Sequence, residues 1–554
     1  MKLKQHALLL TKALLCLIFL YQNAPSVLGQ NKSIILGRPT DTSMTANILF
    51  DQNVQFYLEY GTQSGVYNKV TTTISNRANV PDEFDLRGLA GNTKYFYRLR
   101  WKLNAATTFS TSPEYTFRTQ RAQGSTFRFI LNADEHLYDK KGVRSLYQVT
   151  LANQAKDSAD FMLSLGDTFG DDHDSLTMTS ASSDALHKDY LQYLGQICHS
   201  LPFYFCLGNH EGELGSWLNR NAPNNMAVWG TLWRKYYYPN PFPNGFYSGN
   251  TVTEGYGMGQ PENYYAWTWG DALFVVLDVY RHCDINDKPQ NWDWTLGKTQ
   301  YDWLKRTLET SRAKHKFVFA HHTRGQGRGG KVTASGFEWG GYANGRYLFD
   351  TYRPGWGMPI HQLMVANGVK IFFQGHDHLY AKEDVDGMVY QEVPMAADST
   401  YEIGVLANAD AYTDITRAGS GHVRVTVSPN CVTVDFVRAY LPKDTIGGTR
   451  RNGEIAHSYT IGNCATSIHD TQTEPAWTVF PNPVSDRLFV NLPTVLLNTT
   501  TVQLINLQGQ VIQYQRLTQG ETACQFDVNG LPTGIYAIKW SDERGVFSRK
   551  VVIE

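Results

Sequence analysis

Five apolar runs in the middle of the chain, FRFILNAD, DFMLSLGD, PFYFCLGNHE, KFVFAHH and VKIFFQGHDH, each end in side chains of metal-binding type. Asp134-x-His136 closes the first, and Asp167 follows Gly166 at the second. Asn209-His210-Glu211 follows Gly208 at the third, His321-His322 closes the fourth, and Gly375-His376-x-His378 closes the fifth. Residues two apart on a strand face one side, and on a turn they converge, so D-x-H and H-x-H spacings suit chelation. Asp134, His136, Asp167, Asn209, His321, His376 and His378 are too many donors for one ion and suit two that share a carboxylate. Oxygen and imidazole donors without thiolate favour Mn, Fe, Zn, Co or Ni in sites with open positions.

Something must bring these ends together. Runs this continuously apolar imply strands buried on both faces, and in α/β sheets functional groups collect at the carboxyl ends of strands. An α/β domain over residues 123–463 is therefore expected. Before it, residues 30–122 alternate in short runs (TANILF, VQFYLEYG, KYFYRLRWKL) that predict a β-sandwich, a spacer or a wall beside the site. After a polar linker at 464–476, short strands broken by Pro-Asn-Pro, Gln-Gly and Asn-Gly turns predict a second sandwich over 477–554.

Bulk properties exclude several classes. The 554 residues carry 50 Lys and Arg against 51 Asp and Glu, so no basic excess marks nucleic acid as a structural partner. With 18% charged and 13% aromatic residues the chain is neither collagen, coiled coil nor polytopic membrane protein. Residues 1–29, with Lys2 and Lys4 ahead of ALLCLIFL, read as a secretory signal too short in its apolar run to span a membrane. The remaining Cys198, Cys206, Cys283, Cys431, Cys464 and Cys524 lack C-x-x-C spacing, and their pairing is not set by the sequence. His173, His199, His282, His315 and His361 lack ligand spacing and read as surface or core, and Asp171, Asp172 and Asp174 as a solvated loop. Asp278 reads as structural, and Glu211 is expected to orient His210.

The ordered set D-x-H, G-D, G-N-H-[DE], lone His and G-H-x-H resembles the calcineurin-like metallophosphoesterase superfamily. That resemblance implies a four-layer α/β/β/α domain, here flanked by β-sandwiches. It implies that Asp134, His136, Asp167 and His378 hold one ion, and Asp167, Asn209, His321 and His376 the other, with Asp167 bridging. His210 would contact phosphate and protonate the leaving oxygen. Two ions, Fe, Zn or Mn, would then hydrolyse phosphate monoesters by attack of a metal-bound hydroxide on phosphorus. A phosphodiesterase or nucleotidase is the alternative within this chemistry, and a surface binding protein the alternative outside it. Arg324 and Arg328 in the Gly-rich loop after His322, and His322 itself, are candidate phosphate contacts.

Leu89-Ala90-Gly91-Asn92-Thr93-Lys94-Tyr95-Phe96-Tyr97 resembles the tyrosine-corner segment of fibronectin type III domains. Such a module ahead of the catalytic domain, with Val318-x-x-His321, is similar to purple acid phosphatases. Those carry D-x-G and G-D-x-x-Y, whereas here His136 follows Asp134 by two and Gly170 stands three after Asp167, which puts a ferric-tyrosinate centre in doubt. At the other end, Phe480-Pro481-Asn482-Pro483, Leu531-Pro532-Thr533-Gly534-Ile535-Tyr536 and Lys550-Val551-Val552 resemble the C-terminal sorting domain of the Bacteroidetes type IX secretion system. The type IX machinery is then a partner, and the expected destination is the cell surface or outside, by way of the periplasm.

Overall fold

The computed structural model describes residues 32–169, 177–283, 288–323, 328–464, 477–492, 500–506, 510–542 and 545–554. The signal segment, His173, the acidic run 171–174, Arg324 and all of the linker except Cys464 lie outside them. The described residues up to Cys464 form one compact unit, and those from Trp477 onward a second.

Two sheets stacked face to face make the centre of the first unit. One runs, in spatial order, Phe203–Phe205, Phe161–Ser164, Phe127–Asn132, Gly421–Ser428, Cys431–Arg438 and Ile455–Gly462. Its first three strands are parallel, and Gly421–Ser428 turns antiparallel. The other holds Ala272–Val276, His315–Phe319, Ile371–Gln374 and Met388–Glu392 as parallel neighbours between antiparallel edges.

The period of two explains why the runs are continuously apolar. Phe129 and Leu131 point between the sheets into a core with Phe161, Phe274, Phe319 and Phe373, where the Phe129 ring lies 5.1 Å from that of Phe274. Ile130 and Met162 point the other way, onto Tyr147 and Leu151 of helix Arg144–Gln154 and Leu191 of helix Ser180–Leu194. On the second sheet Val275, Val318 and Phe372 meet Trp303 and Leu304 of Gly297–Thr310 and Leu363 of Ile360–Ala366. The result is the expected four-layer α/β/β/α order, and each strand is apolar on both sides because sheet covers one and helix the other. Histidines without ligand spacing are absorbed into it: His315 Nε2 lies 2.9 Å from Ser428 O, and His361 Nδ1 lies 2.9 Å from Tyr390 Oη.

The amino-terminal region is β-rich, with Lys32–Gly37, Ser43–Phe50 and Asp82–Arg87 in one sheet and Val54–Gly61 and Lys94–Leu103 at the heart of another. Ile48, Phe56, Leu58 and Leu99 fill the space between. The Tyr95 hydroxyl accepts the Ala90 N–H at 2.8 Å. Within the first unit this region docks on the α/β layers through Leu36 N–H to Cys198 O (3.0 Å), Tyr97 Oη to His199 O (2.5 Å) and Gln120 Nε2 to Thr268 O (2.8 Å). Residues 198–199 and 268 precede the strands Phe203–Phe205 and Ala272–Val276. The contacts at Cys198 and His199 therefore lie at the amino end of Phe203–Phe205, the strand whose carboxyl end leads to Asn209 and His210.

Cys431 is disulfide-bonded to Cys464, closing the end of the strand pair Cys431–Arg438 and Ile455–Gly462. A loop of 33 residues loses chain entropy worth about 3–4 kcal/mol when cross-linked. Reduction, or Cys431→Ser with Cys464→Ser, should lower the melting temperature of the first unit, read by near-ultraviolet circular dichroism; an unchanged midpoint would contradict this.

In the second unit the described residues form the expected short strands, in sheets of three and four. Trp477, Leu488, Val490, Leu504, Ile538, Trp540 and Val551 make its core.

Candidate metal centre

Each loop that carries metal-type residues is tied to another by the backbone. Asp134 N–H donates to Gly166 O (2.9 Å), His136 N–H to Asp167 O (3.1 Å) and Gly375 N–H to His321 O (2.8 Å). Carboxylates complete the ties: Asp134 Oδ2 accepts His376 N–H at 2.8 Å, and Asp167 Oδ1 accepts His210 N–H at 2.8 Å. Loops from both sheets thus converge on one point.

The loops touch because the motif glycines leave room. A Cβ on Gly208 would sit 2.3 Å from Asp167 Oδ1, one on Gly166 2.3 Å from Gly208 N, and one on Gly375 2.7 Å from Asp134 Oδ2. Asp134, His136, Asp167, His376 and His378 all have positive φ, between 44° and 81°. Each such residue costs about 1–3 kcal/mol. The hydrogen bonds between loops must offset that strain.

Three groups of side chains result: Asp134, His136 and His378; His136, Asp167 and His210; and Asp167, His321 and His376, the ligand atoms of each lying within 4.8 Å of one another. Asp167 belongs to two. Its Oδ2 is 3.1 Å from His321 Nε2 and 3.9 Å from His136 Nε2. Asn209 is carried on the same turn as His210, with its Oδ1 accepting from Tyr280 Oη at 3.3 Å. The His322 ring lies 4.3 Å from that of His376, tilted by 39°, but joins none of these groups. The Arg328 guanidinium is turned onto Asp377.

The donor chemistry suits cations. His321 Nδ1 lies 2.8 Å from Leu165 O and His136 Nδ1 2.7 Å from Asp139 Oδ2, and since a carbonyl and a carboxylate only accept, each Nδ1 carries the proton. The Nε2 lone pairs then face inward, His136 Nε2 3.1 Å from His378 Nε2 and His321 Nε2 3.2 Å from His376 Nδ1. Electron pairs converging beside buried carboxylates are an arrangement that positive ions stabilise.

Electrostatics divide the donors: burial acts to lower His321, but Asp167 outweighs it and raises that ring. Burial, then the neighbouring imidazoles, hold His376 and His378 well below the usual histidine range, so both rings are neutral and able to bind a cation. Burial and the nearby Asp167 raise Asp134. For Asp167 burial acts in the same direction, but His321, His210 and His136 outweigh it and hold the carboxyl low.

Some participants escaped the sequence reading. Glu211 does not orient His210: its Oε2 accepts Asp167 N–H (2.9 Å) and Gly208 N–H (2.6 Å), and its Oε1 accepts Thr168 N–H (2.9 Å). It clamps two loops through their amides. Asp139, three residues after His136, fixes that ring; the spacing was visible but had no motif. Glu135 lies between Asp134 and His136, takes hydroxyls from Ser164, Thr168 and Tyr190, and is pushed up to about 7 by burial.

Residues 127–380 match the family model of the calcineurin-like phosphoesterases. The chain carries a calcineurin-like phosphoesterase domain. With its buried Asp and His clusters it is a metal-dependent phosphoesterase domain, of a family that uses divalent metals. Residues 478–554 match the secretion system C-terminal sorting domain, which marks the phosphoesterase for type IX export to the cell surface or outside. Among the described residues no helix is long and apolar enough to cross a membrane. Of solved structures, one described as PhoD superposes with a TM-score of 0.55 at 14% identity, covering 78% of this chain and 90% of that one, a likeness of fold. GAP50, the anchor in the inner membrane complex of Plasmodium, gives a TM-score of 0.34 at 14% identity, over 61% of this chain and 89% of its own. A putative 5'-nucleotidase from Staphylococcus aureus gives 0.29 at 13%, over 61% and 54%. No curated protein matches the chain significantly.

Proposed function

We propose that the protein is a secreted binuclear phosphoesterase that hydrolyses phosphate monoesters. The observation that carries this is Asp167, one carboxylate reached by imidazoles of both clusters. Asp134, His136, Asp167 and His378 would hold one ion, and Asp167, Asn209, His321 and His376 the other. When bound, such ions would supply Lewis acidity, drawing charge from phosphoryl oxygens and acidifying water. The protein's own part is to hold the donors rigid and place the His210 ring, whose Nε2 is 4.0 Å from Asp167 Oδ2, to protonate the leaving oxygen. His322, and Arg324, which lies outside the described residues, are the candidates to meet substrate oxygens.

Around this domain the same reading places a signal at 1–29, a fibronectin type III-like module at 30–122, a catalytic domain at 123–463, a linker at 464–476 and a sorting domain at 477–554. The layout resembles that of a purple acid phosphatase with His136 in place of the ferric-ligating tyrosine, so a divalent pair or a mixed Fe/Zn or Fe/Mn pair is expected.

Paired assays on an aryl phosphate monoester and an aryl diester test the substrate class; turnover of the diester alone would sink the monoester reading. Chelation should abolish turnover and also lower the melting temperature. Saturation at a hundredfold above Kd is worth about 2.7 kcal/mol per site. Activity that survives removal of all transition metal would refute the two-ion proposal.

A further inference from the structure

Asp377 stands between His376 and His378, and each of its backbone and carboxylate polar groups is held from outside the turn. Its N–H donates to Glu392 Oε1 (3.0 Å) and its carbonyl accepts Asn408 N–H (2.8 Å). Its Oδ1 accepts from Arg328, and its Oδ2 lies 2.7 Å from Tyr412 Oη, itself 2.9 Å from Glu392 Oε2. The side chain is fully buried.

The two segments that reach it are braced in turn. Glu383, buried on the strand Tyr380–Val385, accepts Gly330 N–H (2.7 Å) and Lys331 N–H (2.9 Å) with Oε2, fixing the chain just after Arg328. Its Oε1 accepts Thr413 N–H (3.0 Å), fixing the residue after Tyr412. One carboxylate thus sets both arms, and both arms meet at Asp377.

We infer that Asp377, gripped by Arg328 and Tyr412, is the positioning residue that fixes His376 and His378 relative to one another, and that Arg328 serves this grip and not the substrate phosphate. The argument is geometric. Both histidines have positive φ, 81° and 65°, a conformation that relaxes unless it is held. Their rings belong to different clusters, so movement of this one turn displaces a donor from each. Ligand-orienting groups of this kind typically alter metal affinity by about 10- to 100-fold.

The inference rests on the two-ion reading. Its test uses the full mature chain with Arg328→Ala, Arg328→Lys and Tyr412→Phe. Dissociation constants for Zn2+ are measured by chelator competition, and kcat and KM on an aryl monoester at saturating Zn2+. The expected result is a rise of about 10- to 100-fold in the Zn2+ dissociation constants of Arg328→Ala and Tyr412→Phe. KM should stay within about twofold, and Arg328→Lys should recover part of the affinity, because its ammonium keeps the charge opposite Asp377. Unchanged Zn2+ affinity in Arg328→Ala and Tyr412→Phe overturns the inference, whether or not KM rises; a tenfold rise in KM confined to Arg328→Ala would return Arg328 to the substrate. Tyr412→Phe removes one oxygen and keeps the packing, so it decides the matter if Arg328→Ala does not fold. Wild-type protein that holds fewer than two ions would count against the two-ion reading, and the affinity comparison would still stand on the ion that binds.

Discussion

Asp167→Asn should bring phosphoesterase turnover down by more than about 10^3-fold and reduce the bound transition metal from two ions to one or none. Asparagine has the same shape, so the packing of a residue only 1% exposed should survive. What changes is charge and donor count. Asp167 Oδ1 already accepts the His210 N–H at 2.8 Å, and Oδ2 faces His321 Nε2 at 3.1 Å. An amide offers a single oxygen, and whichever way it flips, an NH2 replaces one of those acceptors. With the oxygen toward His210 N–H, the NH2 points at the place where both imidazole clusters converge, which repels a cation. Loss of one well-placed electrostatic contact costs about 10^2–10^3 in rate, and this residue would serve two ions. Metal analysis of the purified variant with initial rates on an aryl monoester checks it. Full activity, or two ions retained, would remove Asp167 from the centre of the mechanism.

The candidate donors could be picked out because their spacing is local. D-x-H and H-x-H place two ligands on one turn, and five apolar runs that each stop at such a residue announce strands with a common end. The parallel registers of Phe127–Asn132 with Phe161–Ser164, and of His315–Phe319 with Ile371–Gln374, realise that. What holds the donors was not legible, because it is distant in sequence: Glu211 reaches back 44 residues to Asp167, and Tyr412 reaches 35 to Asp377. Arg328 shows the limit in one side chain. A cation in a Gly-rich loop beside a phosphoesterase site suggests phosphate, yet which anion it meets depends on the His376–His378 turn presenting the buried Asp377 to it. The amino-terminal region posed the same difficulty. Its strands follow from alternation, but the end of the central sheets on which it docks depends on surfaces around Cys198 and Thr268 that no periodicity encodes.

Gly208→Ala should separate shape from conformation at this centre. Gly208 has φ −96° and ψ −178°, a backbone that alanine adopts without strain. The added methyl would nevertheless lie 2.3 Å from Asp167 Oδ1, 2.5 Å from Asp167 N and 2.8 Å from Glu211 Oε2. None of these is the free end of a flexible chain, since Asp167 is held by His210 N–H and Glu211 by three amides. The loops must part, at about 1–3 kcal/mol for overpacking. Displacing a donor by about 1 Å costs on the order of 10^2-fold in rate, so activity should fall by at least that much. Gly88→Ala makes the opposite case: φ is +67° and nothing lies within 4 Å, so the change costs about 1–2 kcal/mol of backbone energy in the amino-terminal region and leaves the centre untouched. Thermal melts and kcat/KM on both variants therefore give a crossed pattern, with stability lost in each and activity lost only in Gly208→Ala. If Gly208→Ala kept its rate, the close nesting of the second and third loops would have no part in setting Asp167, and the rigidity argued for this site would have to come from the His376–His378 turn alone.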